Sequence, residues 1–239
     1  MTRLSGTSRA LLVAILAFAL VAAVTFLVLR SRAGQPSAAP TQQPTTSATP
    51  APATSSSPTA EASTPAPIRY VFPVAGKASY DPDHHDYPAS DIIAACGLGF
   101  VAPIDGVILE VTRVDSYDAK INDGATRGGR SISLLGIDGV RYYGAHLDVI
   151  ETGINPGVKV EHGQRLATIG KTGNTTVCHL HFGISPPCAR SADWWTRRGV
   201  IWPAPYLDAW RRNETRSPAT EIAAWQASNG CPATPQTDP

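Results

Sequence analysis

Cys178-His179-Leu180-His181-Phe182-Gly183-Ile184-Ser185 is the stretch on which the fold turns. Two histidines one residue apart interrupt an apolar run, just after a segment rich in turn formers (Gly170, Gly173, Asn174). On a strand, residues i and i+2 share a face, so both imidazoles project together while Leu180, Phe182 and Ile184 face the opposite way. On a helix the same pair diverges by about 200° and cannot share a site. A strand carrying His-x-His is a natural half of a metal site. Two polar residues on the solvent face of a strand are the plainer alternative, and the missing ligands elsewhere in the chain decide between them.

The neighbouring sequence also reads as β. Val71-Phe72-Pro73-Val74 is a short extended entry, and the polar loop Tyr80–Asp91 runs into Ile92-Ile93. Phe100–Pro103 and Val107–Val111 flank Ile104-Asp105-Gly106, a pattern that predicts a hairpin. A second hairpin is predicted from Ile132–Leu135 and Val140–Tyr143 around Asp138-Gly139. Between them, Asp115–Arg130 is polar, contains glycine and lacks a 3.6-residue apolar period, so it is expected to be a loop. Val158–Val160 and Arg165–Ile169 supply further strands. Short strands separated by glycine turns indicate an all-β domain, an antiparallel β-sandwich or barrel. The last fifty residues differ, because all five tryptophans (Trp194, Trp195, Trp202, Trp210, Trp225) lie there. Ser217-Pro218 opens a predicted helix over Ala219–Gln226 that stops near Gly230. The aromatics are expected to pack a short, partly helical C-terminal extension onto the sheet, with ligand stacking by Trp194 or Trp195 as a second reading.

Ahead of this domain, every residue from Ala10 to Leu29 is apolar except Thr25, with Arg3, Arg9, Arg30 and Arg32 on its flanks. About twenty such residues span a bilayer core. A cleaved signal peptide and secretion compete with an uncleaved signal anchor; the length of the run and the lack of an A-x-A site favour the anchor. Ala33–Pro67 is almost wholly Ala, Pro, Ser, Thr, Gln and Gly. It has too little apolar area to fold, and is expected to be a disordered stalk reaching on the order of 100 Å. The predicted organisation is therefore an anchor at 1–32 (transmembrane helix 10–29), a linker at 33–67, a β domain at 68–190 and a Trp-rich extension at 191–239. The expected place is the cell membrane, single-pass, with the folded domain outside. A formal charge of +1 with mixed signs excludes a nucleic-acid footprint. The four cysteines (Cys96, Cys178, Cys188, Cys231) all fall in the exported part, so two disulfides are expected. Cys178 and Cys188 bracket the His-x-His strand and are expected to pair, leaving Cys96 with Cys231.

Most of the six histidines fall in meaningful contexts. His146 ends a predicted strand in Tyr143-Gly144-Ala145-His146-Leu147, His84 and His85 precede Asp91, and His162 sits in a turn where solvation suffices to explain it. In order, His84/His85…Asp91-Ile92, Pro103-Ile104-Asp105-Gly106, His146-Leu147, Gly163-Gln164…Ile169-Gly170…Thr172-Gly173…His179-Leu180-His181-Phe182 resembles the lysostaphin-type zinc metallopeptidases of peptidoglycan. The resemblance covers roughly Val71 to Ser185. It implies an antiparallel β-sandwich with a groove on one sheet. It also implies Zn²⁺ held by a histidine before Asp91, by Asp91 and by His181, with His146 and His179 acting on water and substrate. Chemistry agrees: two imidazoles and one carboxylate leave a tetrahedral zinc one open position, and zinc so held supplies a nucleophile at neutral pH. The spacing departs from the family. Three residues usually separate the first histidine from the aspartate, whereas Asp86-Tyr87-Pro88-Ala89-Ser90 separate His85 from Asp91. His85 is the nearer to the usual spacing and is preferred as ligand over His84.

The function expected is that of a zinc endopeptidase hydrolysing amide bonds in peptidoglycan stems or cross-links, tethered through its N-terminal helix. A non-catalytic regulator of another wall hydrolase is the alternative, but such a protein typically lacks a ligand, and here every position has a candidate. A sugar-phosphotransfer carrier domain also uses paired histidines on a similar fold. Its chemistry is cytoplasmic, against the outward-pointing anchor and stalk.

Overall fold

In the computed structural model, which describes residues 67–188 and 193–232, strand alternation separates two kinds of surface. The eleven strands among these residues are β1 (Val74–Ala75), β2 (Ala78–Ser79), β3 (Ser90–Ala94), β4 (Gly99–Val101), β5 (Gly106–Thr112), β6 (Ser131–Gly136), β7 (Arg141–Ala145), β8 (Leu147–Ile150), β9 (Lys159–Val160), β10 (Arg165–Ile169) and β11 (His179–Ser185). Three helices follow: α1 (Trp194–Arg197), α2 (Ala204–Arg211) and α3 (Ala219–Asn229). The predicted transmembrane helix and nearly all of the stalk lie outside the described residues. Among the described residues, no helix is long and apolar enough to cross a membrane.

The strands form a seven-stranded sheet, ordered β2-β3-β11-β7-β6-β5-β9, and a four-stranded sheet, ordered β1-β4-β10-β8. All pairings are antiparallel. Both sheets contribute to one core: Ile92, Ile132, Tyr142, Leu180 and Phe182 from the larger, Phe100, Leu166 and Ile169 from the smaller. Phe100 approaches Gly144 of β7 so closely that a Cβ there would lie 2.5 Å from its ring. In β11, Leu180, Phe182 and Ile184 are fully buried in this core. His179, His181 and Gly183 therefore occupy the opposite face, as the alternation requires.

The hairpin at Asp138-Gly139 forms as predicted, joining β6 to β7. Asp138 organises it by accepting hydrogen bonds from the hydroxyls of Tyr142 (2.6 Å) and Tyr70 (2.8 Å). The hairpin predicted around Asp105-Gly106 does not form. β4 pairs with β1 and β10, whereas β5 pairs with β6 and β9, so this turn carries the chain from one sheet to the other. Buried Ile104 drives the crossing, while Pro103 has no N–H with which to continue a ladder. Asp115–Arg130 contains no helix or strand, as expected.

The expected disulfide pairing is also corrected. The bridges are Cys96–Cys178 and Cys188–Cys231, with Cα atoms 5.3 Å and 5.5 Å apart. Cys178 and Cys188 flank the seven extended residues of β11, which at about 3.4 Å per residue hold them far beyond bridging distance. Antiparallel pairing of β11 with β3 instead sets His179 opposite Ile93, bringing Cys178 beside the exit of β3 where Cys96 lies. The C-terminal region supplies core as well as cover. Trp210 of α2 is only 1% exposed and stacks on Tyr70 with ring centroids 5.2 Å apart. Helix α3 begins after Pro218 and ends at Gly230, close to prediction.

Candidate metal and catalytic site

Three neighbouring strands build the site. Register places His181 of β11 directly opposite Asp91 of β3 on one side and Ala145 of β7 on the other. Asp91 points to the groove because Ile92 and Ala94 take the core positions of β3. At the end of β7 the chain turns through His146 with φ of 61°, unusual for a residue with a side chain. Two backbone bonds hold it there: the His146 N–H donates to Gly128 O (2.9 Å), and the Gly170 N–H donates to His146 O (3.0 Å). These residues surround a groove of about 520 Å³ whose floor includes His84, Asp91, His146, His179 and His181.

The proton positions follow from the partners. His181 Nε2 lies 2.9 Å from the Arg198 carbonyl, which can only accept, so Nε2 carries the hydrogen. Its Nδ1 then presents a lone pair to Asp91 Oδ1 at 3.0 Å. A lone pair facing a carboxylate at that distance is stable only with a cation between them, either a second proton on the ring or a metal. His84 Nε2 lies 3.6 Å from Asp91 Oδ2 and completes a group whose ligand atoms all fall within 4.8 Å of one another. Burial pushes Asp91 up, but the hydrogen bond to His181 and the imidazoles around it outweigh this and hold the carboxyl below the usual range. Burial likewise lowers His84, keeping it neutral and able to ligate. Two imidazoles and a carboxylate, with an open groove beside them, fit a zinc ion.

His146 and His179 lie side by side, with ring centroids 4.6 Å apart. His146 Nδ1 donates to the Thr172 carbonyl at 2.7 Å, and His179 Nδ1 donates to the Val177 carbonyl at 3.1 Å. Each ring is thereby left with a bare Nε2, and that of His179 is 3.6 Å from Asp91 Oδ1. Burial, followed by repulsion from His181 and His179, lowers His146 to about 4, and burial also lowers His179. Both are therefore neutral proton acceptors near pH 7.

The sequence preferred His85 as ligand, but the structure brings His84 into the group and leaves His85 exposed. His84 packs against Tyr87 (4.4 Å between centroids) and edge-on to His181 (5.4 Å), so the longer loop bulges outward and its preceding histidine reaches back. His162 is more than solvated: its backbone N–H and its Nδ1 both reach Asp105 Oδ1, at 2.6 Å and 2.7 Å. Trp194 lines the groove, whereas Trp195 does not. The sequence reading assigned Thr172 no role of its own, yet its carbonyl orients His146 and its hydroxyl binds Leu147 O (2.8 Å) and the Arg130 N–H (2.9 Å). It also missed Arg198, whose guanidinium lies 3.7 Å above the Tyr87 ring. Neither a backbone carbonyl nor an arginine placed over a ring more than a hundred residues away carries a sequence signal, so neither contact could be found without the fold.

The model of Peptidase family M23 matches residues 86–192. That stretch is a little under half of the chain and is what it shares with the family. The matched stretch begins two residues after His84 and stops before Arg198, so two groups at the site lie outside it. Among solved structures, a protein assigned to peptidase M23 from Pseudomonas aeruginosa is 19% identical with a TM-score of 0.45, the match covering 61% of this chain and 53% of that one. The catalytic domain of the antimicrobial peptidase lysostaphin from Staphylococcus simulans is 24% identical (TM-score 0.41; 56% of this chain, 90% of that one). A zinc-containing peptidase from Vibrio cholerae is 22% identical (TM-score 0.38; 48% of this chain, 36% of that one). Comparison with curated proteins finds no match.

Proposed function

We propose that this protein is a zinc-dependent endopeptidase that hydrolyses amide bonds in the peptide stems or cross-links of peptidoglycan, outside the membrane. The observation that carries the reading is the convergence of His84, Asp91 and His181 beside two neutral histidines whose Nδ1 atoms are tied to backbone carbonyls, in and next to a stretch similar to Peptidase family M23. His84, Asp91 and His181 would hold zinc, and the Asp91 carboxylate would offset part of its charge. Zinc in such a site polarises a carbonyl and supplies a nucleophile at neutral pH. His146 and His179 face the same space: a neutral Nε2 accepts a proton from an attacking water and, once protonated, donates to the developing oxyanion or the leaving amine. Two disulfides in the described residues and the apolar run at 10–29 support a membrane-tethered, extracytoplasmic place.

The test is incubation of the full chain in detergent with purified peptidoglycan, and mass spectrometry of the released fragments. New peptide termini on intact glycan are expected, abolished by chelation and restored by added zinc. Bound zinc without any new terminus would instead identify a non-catalytic wall-binding protein.

A further inference from the structure

We propose that the segment Asp193–Gly199, which lies beyond the matched family stretch, is part of the metal site, with the Arg198 carbonyl as the group that positions His181. The inference rests on the zinc reading above and extends it to residues that the family match does not include.

The Arg198 carbonyl is the acceptor that puts the His181 hydrogen on Nε2 and so turns the Nδ1 lone pair toward Asp91 (2.9 Å and 3.0 Å). A partner of this kind fixes the tautomer and ring plane of a ligating histidine. The carbonyl reaches β11 only because residue 183 is glycine: a Cβ there would lie 2.2 Å from Arg198 O and 2.5 Å from its carbon. On the far side, Gly199 has φ of +137°, and a Cβ on it would meet Pro88 O at 2.2 Å. The segment is therefore wedged between the His-x-His strand and the loop that carries His84.

Its N-terminal end is fixed by a buried ion pair. Arg141 donates to Asp193 Oδ2 at 2.9 Å, both side chains being 1% exposed, and also binds Ser185 Oγ (2.9 Å) and Cys188 O (3.3 Å). Past the carbonyl, the Val200 N–H donates to Ile184 O at 3.0 Å, returning the chain to β11. The segment that carries the Arg198 carbonyl is thus held at one end through Arg141 of β7, which also binds Ser185 of β11, and at the other by β11 itself. Arg141 and Asp193 are the positioning side chains behind that carbonyl.

Gly183→Ala in the full chain tests this, with zinc affinity read by chelator competition. A 10- to 100-fold weakening is expected, the range seen when the outer partner of a ligating histidine is lost. Two readouts separate positioning from general damage. In ¹⁵N-histidine NMR of the zinc form, the His181 Nε2–H should be visible and exchange-protected in the parent and lose protection in the variant. The visible spectrum of the cobalt(II)-substituted protein should shift as well. Trp202→Ala, an exposed change in the same C-terminal region, should leave all three readouts as they are. If Gly183→Ala does not fold, Gly199→Ala displaces the segment from its other side and should give the same three changes. Unaltered zinc affinity, Nε2–H protection and cobalt spectrum in a folded variant would overturn the inference while leaving the zinc reading intact. A parent protein that binds no zinc would remove both.

Discussion

At the residue scale, Asp91 and the four histidines around it divide into two sets: His84, Asp91 and His181 cluster as metal ligands could, while His146 and His179 lie side by side with Nδ1 tied to backbone carbonyls. Asp91→Ala or His181→Ala leaves two protein ligands at most, so both bound zinc and hydrolysis should be lost together. His146→Ala and His179→Ala should each keep zinc and lose roughly 10²–10⁴-fold in rate, the usual contribution of a positioned acid–base group. Metal analysis alongside fragment release distinguishes the sets, and an Asp91→Ala protein with full zinc would show the assignment to be wrong. His84→Ala should release the metal whereas His85→Ala should not, because only His84 faces Asp91. Strand alternation and motif order singled out His146, His179, His181 and Asp91 in the sequence, and the fold gathers these four into one groove. The choice between His84 and His85 was not legible there. It depends on how a loop with Pro88 packs Tyr87 under the preceding ring, which spacing does not encode.

At the scale of elements, local patterns were readable and pairings between distant segments were not. Asp138-Gly139 makes its hairpin because both strands it joins belong to one sheet, and Asp105-Gly106 fails to because buried Ile104 carries the chain between sheets. The second turn is instead tied across to His162, which gives a pH prediction. The His162 backbone N–H on Asp105, together with its side chain, outweighs partial burial and holds the carboxyl below its usual range. An acid whose folded value is depressed contributes stability above its unfolded pKa of about 4 and loses it as pH falls through the folded value. Urea midpoints of the parent and Asp105→Asn should therefore differ at neutral pH and converge in acid. A gap that persists unchanged at pH 2 would mean that Asp105 acts through shape and not through charge.

At the scale of the molecule, the C-terminal region packs onto the sheets as its aromatic content suggested, and Trp210 goes further, into the core itself. Trp210 closes the same interior as Tyr70 and Phe182, and Cys231 returns to Cys188 just beyond β11. Trp210→Ala should cost about 3–5 kcal/mol in denaturant unfolding, in the range for a fully buried large aromatic. A loss below about 1 kcal/mol would show that the extension folds apart from the sheets.

Both bridges also constrain where the protein can work. They close stretches of 82 and 43 residues, and cross-links over loops of that size typically contribute about 2–4 kcal/mol. In a reducing compartment that contribution is lost, and the entry to β11 beside Cys178 and the segment tethered near Cys188 lose their ties together. The proposed outward topology therefore makes a joint prediction. Protease added to wall-stripped cells should remove the domain from the membrane. Unreduced peptide maps of the released domain should contain Cys96–Cys178 and Cys188–Cys231 and no other pairing. A domain protected from external protease, with four free thiols, would place it on the other side of the membrane and remove peptidoglycan as its substrate.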